Sequence, residues 1–208
     1  YVDRSLSTNW WWRNKVIGLM IRIGILGDIG SGKSYVAKNF GYPVFNADVE
    51  VGRLYKKDRK IFDKLKKVLP KHIYSFPVNK NEILNAILAN KSNLKKIIKI
   101  VHLEIRKKLN IFLSKNRNKN IVILDIPLLL ENRINKKNDI LVFVKSKKLD
   151  ILKRLKKREN FNPKLLSKFK NIQLSLDYKE KRSQFIIKNN FTNKSVKKSI
   201  KKTLKDIL

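Results

Sequence analysis

Residues 21–34, IRIGILGDIGSGKS, decide the fold, because an apolar run leads directly into a glycine-rich loop. The last eight of these residues fit the phosphate-loop pattern G-x-x-x-x-G-K-[ST] at every fixed position. The glycines let successive backbone N–H groups face a phosphate, and the helix that follows directs the positive end of its dipole to the same place. The sequence therefore predicts a nucleotide-binding site at the end of the first strand.

Each residue type in this loop predicts a particular contact with ATP. Lys33 is expected to bridge the β- and γ-phosphates, and the hydroxyl of Ser34 is expected to bind Mg²⁺. The other ATP-binding candidates of this segment are Gly27, Ile29, Gly30, Ser31, Gly32 and Tyr35. Three of the seven glycines of the chain lie in this loop, which argues against a chance match.

Downstream of the loop, short apolar runs alternate with helical patterns. Further strands are predicted at residues 43–48, 121–127, 139–145 and 183–189, and helical patterns at 33–40, 52–115, 148–158, from Pro163 and at the C-terminus. Alternation at this spacing indicates βαβ units. We therefore predict an α/β protein: a P-loop three-layer sandwich with a parallel five-stranded sheet, an inserted helical subdomain and a lid.

The predicted domain organisation follows from these segments. Residues 1–19 differ in composition from the rest and are expected to be a leader outside the fold. Residues 20–208 form one domain, with a core at about 20–57 and 119–208, a helical insertion at about 58–118 and a lid at about 153–175. The apolar run after the leader is interrupted by Arg22 and is shorter than the ~20 residues that span a bilayer, so no membrane partner is expected.

The composition is strongly basic, with 50 Lys and Arg against 16 Asp and Glu and a formal net charge of +34. Nucleic-acid surfaces usually rely on clustered arginine, whereas this chain has 39 Lys and only 11 Arg, spread among 22 Asn and 25 Ile. We interpret the charge as background composition that remains compatible with a phosphate-rich ligand. The chain contains no cysteine, which excludes a disulfide scaffold, a thiolate metal site and a cysteine nucleophile.

Acidic residues follow two of the predicted strands. Asp48 closes the second strand and should face the same crevice as the loop, where it could accept a proton, help to hold a metal, or simply cap the next helix. Asp125 ends a strand in a pattern that resembles a Walker B element. In the PLLLE segment that follows, the leucines are expected to pack in the core, and Glu131 could be a solvated helix residue.

Two pairs of basic residues have helical spacing. His102 and Arg106 are four residues apart and share a helix face, which would bind an anion if it pointed into the crevice. A lone histidine is, however, more often structural. Arg154 and Arg158 are also four apart, beside Lys153, on a helix of the kind that nucleotide kinases use as a lid. The alternative to a lid is a basic helix face that is simply exposed to solvent. Any one lysine of this chain fits that alternative, whereas it is less convincing for the arginines because they are scarce.

Taken in order, these motifs resemble the dephospho-CoA kinase family. The resemblance extends from Met20 to the terminal helix and includes IGILGDIGSGKS, NADVEVGRLY, HLEIR at 102–106, DIPLLLE at 125–131, LKRLKKRE at 152–159 and SQFIIKNN at 183–190. This ordered series is more specific than the phosphate loop alone. The departures from the family pattern are Asp28 for Gly, Tyr35 for Ser or Thr, Asn46 for Asp, Leu103 for Pro, and Ser183-Gln184 for Ala-Asp.

The resemblance implies phosphoryl transfer from ATP, with Mg²⁺, to the ribose 3′-hydroxyl of dephospho-CoA in the cytoplasm. It implies that Asp48 is the general base, that Lys33 and Arg154 are catalytic, and that Arg158 and Asn189 also contact ATP. The substrate-binding residues that it implies are Asp48, His102, Arg106, Asp125, Leu128 and Glu131. A monomer or weak homo-oligomer without a specific nucleic-acid partner is expected.

Two other functions are compatible with parts of the sequence. Another P-loop kinase, acting on a nucleoside monophosphate or a metabolite alcohol, would share the loop, the lid and the fold, but lack the HLEIR and DIPLLLE series. A nucleic-acid-binding ATPase is supported only by the net charge. It would need clustered arginines with stacking aromatic residues, and the sequence shows no such patch.

Overall fold

A computed structural model of the chain describes residues 20–159 and 161–208, so the predicted leader at 1–19 lies outside the described residues. The described strands are β1 (Ile21–Gly27), β2 (Val44–Asn46), β3 (Ile121–Asp125), β4 (Ile140–Lys145) and β5 (Phe185–Lys188). They form one five-stranded sheet in the order β2-β3-β1-β4-β5, and all neighbouring pairs are parallel. The prediction of a parallel five-stranded sheet is confirmed.

Helices connect these strands. In the described part of the chain they are α1 (Lys33–Asn39), α2 (Ala47–Lys57), α3 (Arg59–Val68), α4 (Lys80–Ala89), α5 (Lys91–Lys115), α6 (Lys148–Lys156), α7 (Pro163–Lys170), α8 (Leu176–Lys181) and α9 (Asn193–Ile207). None of these helices is both long and apolar enough to cross a membrane.

The sheet buries apolar side chains on both faces, as parallel sheets do. Because side chains alternate along a strand, Ile23 and Ile25 of β1 face a cluster that includes residues of α1 and α9. Leu26, on the opposite face, joins a second cluster built with residues of α2, α3, α4 and α5. The sheet therefore lies between two helical layers, which confirms the predicted three-layer sandwich.

Helix α5 shows why the long segment between β2 and β3 is helical. Its buried apolar residues recur at spacings of three and four, which places them on one face. They are Leu94, Ile97, Val101, Ile105 and Leu109. Helices α3, α4 and α5 fall within the predicted insertion at 58–118, although its boundaries as a separate subdomain stay a prediction.

Several predicted element boundaries are wrong: the helical stretch predicted at 52–115 begins at Ala47 and is divided into four helices, and β3, β4 and β5 are one to three residues shorter than predicted. Two further differences bear on the site. Strand β2 ends at Asn46, whose side chain accepts a hydrogen bond from the N–H of Val49 at 2.8 Å and so caps α2. Asp48 therefore neither closes a strand nor caps a helix, but lies in the first turn of α2. Helix α6 ends at Lys156, and the N–H of Arg158 bonds to the carbonyl of Leu155 at 3.1 Å, a tighter turn that removes Arg158 from the helix face.

A buried ion pair lies at the amino-terminal edge of the sheet. Nη2 of Arg22, the second residue of β1, donates to Oδ2 of Asp139 at 2.9 Å, and the two side chains are only 9% and 2% exposed. Asp139 directly precedes β4. Ligands of parallel α/β sheets bind beyond the opposite, carboxyl ends of the strands, so this pair serves the fold rather than a ligand site.

Candidate active site

The phosphate loop joins β1 to α1 at the carboxyl edge of the sheet. Within it, the N–H of Ser31 donates to the carbonyl of Asp28 at 3.1 Å. The hydroxyl of Ser31 is buried and has no hydrogen-bond partner among the described residues. A buried polar group without a partner is unusual, and a phosphate oxygen would supply the acceptor that this hydroxyl lacks. The loop therefore fits the nucleotide that its sequence predicts.

Lys33 extends back across its own loop. Its Nζ donates to the carbonyl oxygens of Asp28 at 2.7 Å and Gly27 at 3.1 Å. Burial lowers the pKa of Lys33 to about 8, and the negative charge of Asp125 opposes this shift. Because the ammonium lies where water is scarce, its charge acts on nearby anions with little screening. Lys33 is thus placed to attract the terminal phosphates of ATP.

Two carboxylates lie beside the phosphate loop. Asn46 and Asp125 are register partners at the ends of β2 and β3, and Nδ2 of Asn46 donates to Oδ2 of the buried Asp125. Asp48 is an exposed residue two positions after Asn46, in the first turn of α2. Partial removal of water from the Asp48 carboxyl and the charge of Asp125 raise its pKa, while Lys33 acts in the opposite direction. The charges of Asp48, Asp125 and Lys33 therefore act on one another beside the phosphate loop, and their shared role in a site stays a prediction.

Asn189 braces the phosphate loop from the opposite side. Its side chain is buried, and Nδ2 donates to the carbonyl oxygen of Ser31 at 2.8 Å. The same carbonyl oxygen accepts a second hydrogen bond from the hydroxyl of Ser146 at 3.0 Å. Oδ1 of Asn189 accepts the N–H of Phe191 at 2.8 Å. Both ends of the amide are therefore occupied in holding the backbone, and direct contact of Asn189 with ATP stays a prediction.

Helix α6 packs directly against the phosphate loop. A Cβ atom at Gly30 would lie 3.0 Å from the side chain of Leu155, so the missing side chain permits this close approach. Arg154, on the same helix, is exposed, and its guanidinium lies 4.4 Å from the ring centroid of Phe191. Arg158 is exposed in the turn that follows. Arg154 is therefore adjacent to the loop, and the roles of both arginines toward ATP stay predictions.

His102 and Arg106 share a face of α5, as the sequence predicts, with Nε of Arg106 3.4 Å from Nε2 of His102. Arg106 also donates through Nη2 to the carbonyls of Asn132 at 2.6 Å and Arg133 at 3.3 Å. Burial and the neighbouring guanidinium lower the pKa of His102. Arg106 thus anchors the segment after β3 to α5, and its contact with a substrate stays a prediction.

Glu131 is not the solvated helix residue that the sequence allowed. It lies in the turn after β3, its side chain is only 8% exposed, and Oε1 is 2.7 Å from Nζ of Lys179. Oε1 also accepts the N–H of Leu174 at 3.0 Å. Leu128, nearby, is half-buried, its carbonyl accepts the N–H of Asn132 at 3.1 Å, and its contact with a substrate stays a prediction. Glu131 is buried because it pairs with the buried ammonium of Lys179, a residue that the sequence analysis did not identify.

Lys179 is the residue that sequence reasoning missed. It is 1% exposed, and its Nζ donates to Oε1 of Gln173 at 3.0 Å in addition to its ion pair with Glu131. In a chain with 39 lysines, no local pattern distinguishes the one that is buried. Only the packing of α8 against the carboxyl edge of the sheet reveals it.

Replacing Gly32 with alanine is expected to weaken ATP binding by about tenfold or more. Gly32 has a φ of +91°, and a Cβ atom there would clash with Nδ2 of Asn189. The change adds backbone strain of about 1–3 kcal/mol and displaces the amide that holds the carbonyl of Ser31. Titration of the variant with ATP, read as nucleotide-dependent thermal stabilisation, measures the effect.

Gly41→Ala is the matched control for this variant. Gly41 also has a positive φ, +77°, but a Cβ atom there would meet nothing within 4 Å. This control therefore introduces backbone strain without disturbing the loop, and its affinity for ATP should be unchanged. Equal losses of affinity in both variants would contradict the role given to the Gly32–Asn189 contact.

Comparisons with known proteins indicate the family of the chain. A family model described as dephospho-CoA kinase matches residues 21–195. A dephospho-CoA kinase of Wolbachia pipientis wMel is 34% identical over 170 residues, which cover 79% of this chain and 87% of that protein. One of Rickettsia conorii is 30% identical over 191 residues, which cover 90% of this chain and 98% of that protein.

Solved structures share the fold. A crystal structure from Thermus thermophilus superposes with a TM-score of 0.74 at 25% identity, covering 91% of this chain and 99% of that one. The dephospho-CoA kinase of Campylobacter jejuni superposes with a TM-score of 0.55 at 20% identity, covering 89% of this chain and 96% of that one. From its sequence match and its P-loop architecture, the chain belongs to the dephospho-CoA kinase family.

Proposed function

We propose that this protein transfers the γ-phosphoryl group of ATP to the ribose 3′-hydroxyl of dephospho-CoA, with CoA and ADP as products. Membership of the dephospho-CoA kinase family supports this acceptor. The observation that carries the proposal is the position of Asp48 in the first turn of α2, two residues after Asn46, whose side chain bonds to Asp125 at the carboxyl end of β3. The charges of Asp48 and Asp125 both act on the phosphate-loop Lys33. A base and a phosphate-binding cation then meet at one edge of the sheet.

In this mechanism the protein acts by positioning and by charge. Phosphoryl transfer passes through a loose transition state that requires little covalent chemistry from the enzyme. Lys33 attracts the β- and γ-phosphates, and Asp48 orients the 3′-hydroxyl and accepts its proton as the oxygen attacks phosphorus. Arg154 approaches from α6 and neutralises charge on the transferred group. ADP leaves with the electron pair of the broken P–O bond.

The residues of the site also fit Mg²⁺, which prefers oxygen ligands and is commonly held by one or two carboxylates together with substrate phosphates. The exposed Ser34 is expected to provide a hydroxyl, and the Walker B-like Asp125 a carboxylate. The described residues contain no group of three or more His, Cys, Asp or Glu that could hold a metal ion. Most ligands would therefore come from ATP and water, and the ion would neutralise phosphate charge.

The helical segment with His102 and Arg106 would bind the pyrophosphate and pantetheine part of the acceptor in this proposal. Closure of that segment and of the lid would keep water away from the γ-phosphate. The reaction would take place in the cytoplasm, and the protein would act as a monomer or weak homo-oligomer.

Purified protein is expected to form ADP from ATP in proportion to added dephospho-CoA. Adenylate and shikimate are expected to be poor acceptors, because the proposed contacts are specific to the acceptor's pyrophosphate and pantetheine. A coupled assay for ADP, with chromatographic detection of CoA, checks both expectations. Turnover of another acceptor without turnover of dephospho-CoA would overturn the proposed function in favour of another small P-loop kinase.

A further inference from the structure

We propose that Lys179 is a positioning residue for the end of the lid, which it holds against the phosphate-transfer site through Glu131 and Gln173. This inference rests on the proposed function and assigns a role in it to a residue that the family motifs discussed above do not include. Lys179 would act through these neighbours, since its side chain is 1% exposed and out of reach of a substrate.

Lys179 joins two separate parts of the chain. Its Nζ is 2.7 Å from Oε1 of Glu131, in the turn after β3, and donates at 3.0 Å to Oε1 of Gln173, at the end of the predicted lid. The same Glu131 oxygen accepts the N–H of Leu174 at 3.0 Å. The backbone at Leu174 and the side chain of Gln173 are thereby both fixed to one buried ion pair.

Residues 173–174, which this ion pair holds, face the phosphate loop across a cavity. Asp28 of the loop, Leu155 of α6, and Gln173 and Leu174 line a cavity of about 350 Å³. Lys170, the last residue of α7, approaches the carboxylate of Asp28 at 3.9 Å from the same side. The position of residues 173–174 therefore determines how the lid segment meets the loop.

The ion pair is also electrostatically part of the site. Burial lowers the pKa of Lys33, and the positive charge of Lys179 adds to this lowering. Oε2 of Glu131 is buried and has no hydrogen-bond partner among the described residues. A buried carboxylate in this state depends on its single cation, and removal of Lys179 should release both Glu131 and the lid end.

A lid that is no longer fixed should admit water. We therefore expect Lys179→Met to lower the kcat for CoA formation by about tenfold to a hundredfold, the scale of a small misplacement of reacting groups. The ratio of ADP formed to CoA formed should rise above one, because water then competes with the acceptor for the γ-phosphate. The affinity for ATP alone should change little.

A double variant separates positioning from simple stability. Lys179→Met combined with Glu131→Leu removes both charges and leaves no unpaired carboxylate, so it should recover thermal stability relative to Lys179→Met. It still lacks the acceptor for Leu174 and the donor for Gln173, and its ADP-to-CoA ratio should stay above one. Recovery of a ratio of one together with normal kcat would overturn the inference, because it would show a purely structural pair.

Two further variants complete the experiment. Arg22→Met leaves Asp139 unpaired in the other buried ion pair, at the amino-terminal edge of the sheet, and should lower thermal stability without changing the ADP-to-CoA ratio. Gln173→Met keeps the Lys179–Glu131 pair but breaks one bond to the lid end, and should raise the ratio even if the other variants fail to fold. A ratio of one in Gln173→Met with normal kcat would contradict the inference.

The unaltered protein distinguishes failure of the proposed function from failure of the positioning role of Lys179. If it forms no CoA from ATP and dephospho-CoA, the proposed function fails, and the inference fails with it. If it forms CoA in a one-to-one ratio with ADP while the Lys179 and Gln173 variants do the same at normal rates, the inference alone fails.

Discussion

Lys33→Met is expected to lower kcat by about 10²–10³-fold, the usual loss when one preorganised cation or donor is removed from a transition state. Lys33 is half-buried at the phosphate loop, where its removal from water lowers its pKa to about 8. In so little water its attraction for phosphate oxygens is only weakly screened. Methionine preserves the length of the side chain but not the charge, so steady-state kinetics at saturating ATP isolate the electrostatic contribution.

Lys38→Met is the matched control, because Lys38 is an exposed residue in the last turn of the same helix, α1. The same substitution there should leave kcat unchanged, although it removes an equal charge from the basic surface. A similar loss in both variants would show that the overall charge, and not the placed cation, drives turnover. A Lys33→Met enzyme with nearly normal kcat would contradict the mechanism.

Asp48→Asn is expected to lower kcat by about 10²-fold or more, a typical contribution of a general base. Asparagine keeps the shape of the side chain but cannot accept the proton of the 3′-hydroxyl. The structure also removes the alternative explanation that Asp48 matters as a helix cap, since Asn46 caps α2 through Val49. Rapid-mixing kinetics and an ATP titration should show slow chemistry together with nearly normal ATP affinity.

Glu50→Gln provides the control for Asp48→Asn. Glu50 lies in the same first turn of α2, but its carboxylate pairs with Arg53 on that helix. Loss of this charge should leave kcat within about twofold, because surface pairs contribute little. Normal turnover in Asp48→Asn, or equal losses in both variants, would contradict the assignment of Asp48 as the base.

Much of the fold follows from the sequence because its signals are local. The apolar run of β1 and the glycine pattern after it require a strand, a loop and a helix in that order, and the structure has them at Ile21–Gly27 and Lys33–Asn39. Strand ends were less certain. The run at 43–48 reads PVFNAD, and the strand stops at Asn46 because that side chain caps the next helix.

The candidate site divides in the same way. The sequence predicts Lys33, Asp48 and Asp125 as site residues, since each follows or lies within a recognisable element and parallel strands bring their carboxyl ends together. Their roles stay predictions. The bond from Asn46 to Asp125 needed the register of β2 against β3, which spans 79 residues of sequence. The position of Arg158 also needed the structure, because the end of α6 is set by a local turn.

The sequence by itself determined the architecture, the phosphate loop and the family resemblance, because these depend on residue types at fixed short spacings. Only the tertiary structure decided which charges are buried. Of the 39 lysines, Lys179 is buried and pairs with Glu131. The side chains of Asn189 and Arg106 each donate a hydrogen bond to a backbone carbonyl of a distant segment. The physical reason is that burial and pairing arise where distant segments pack together, and no local pattern records the cost of removing a charge from water.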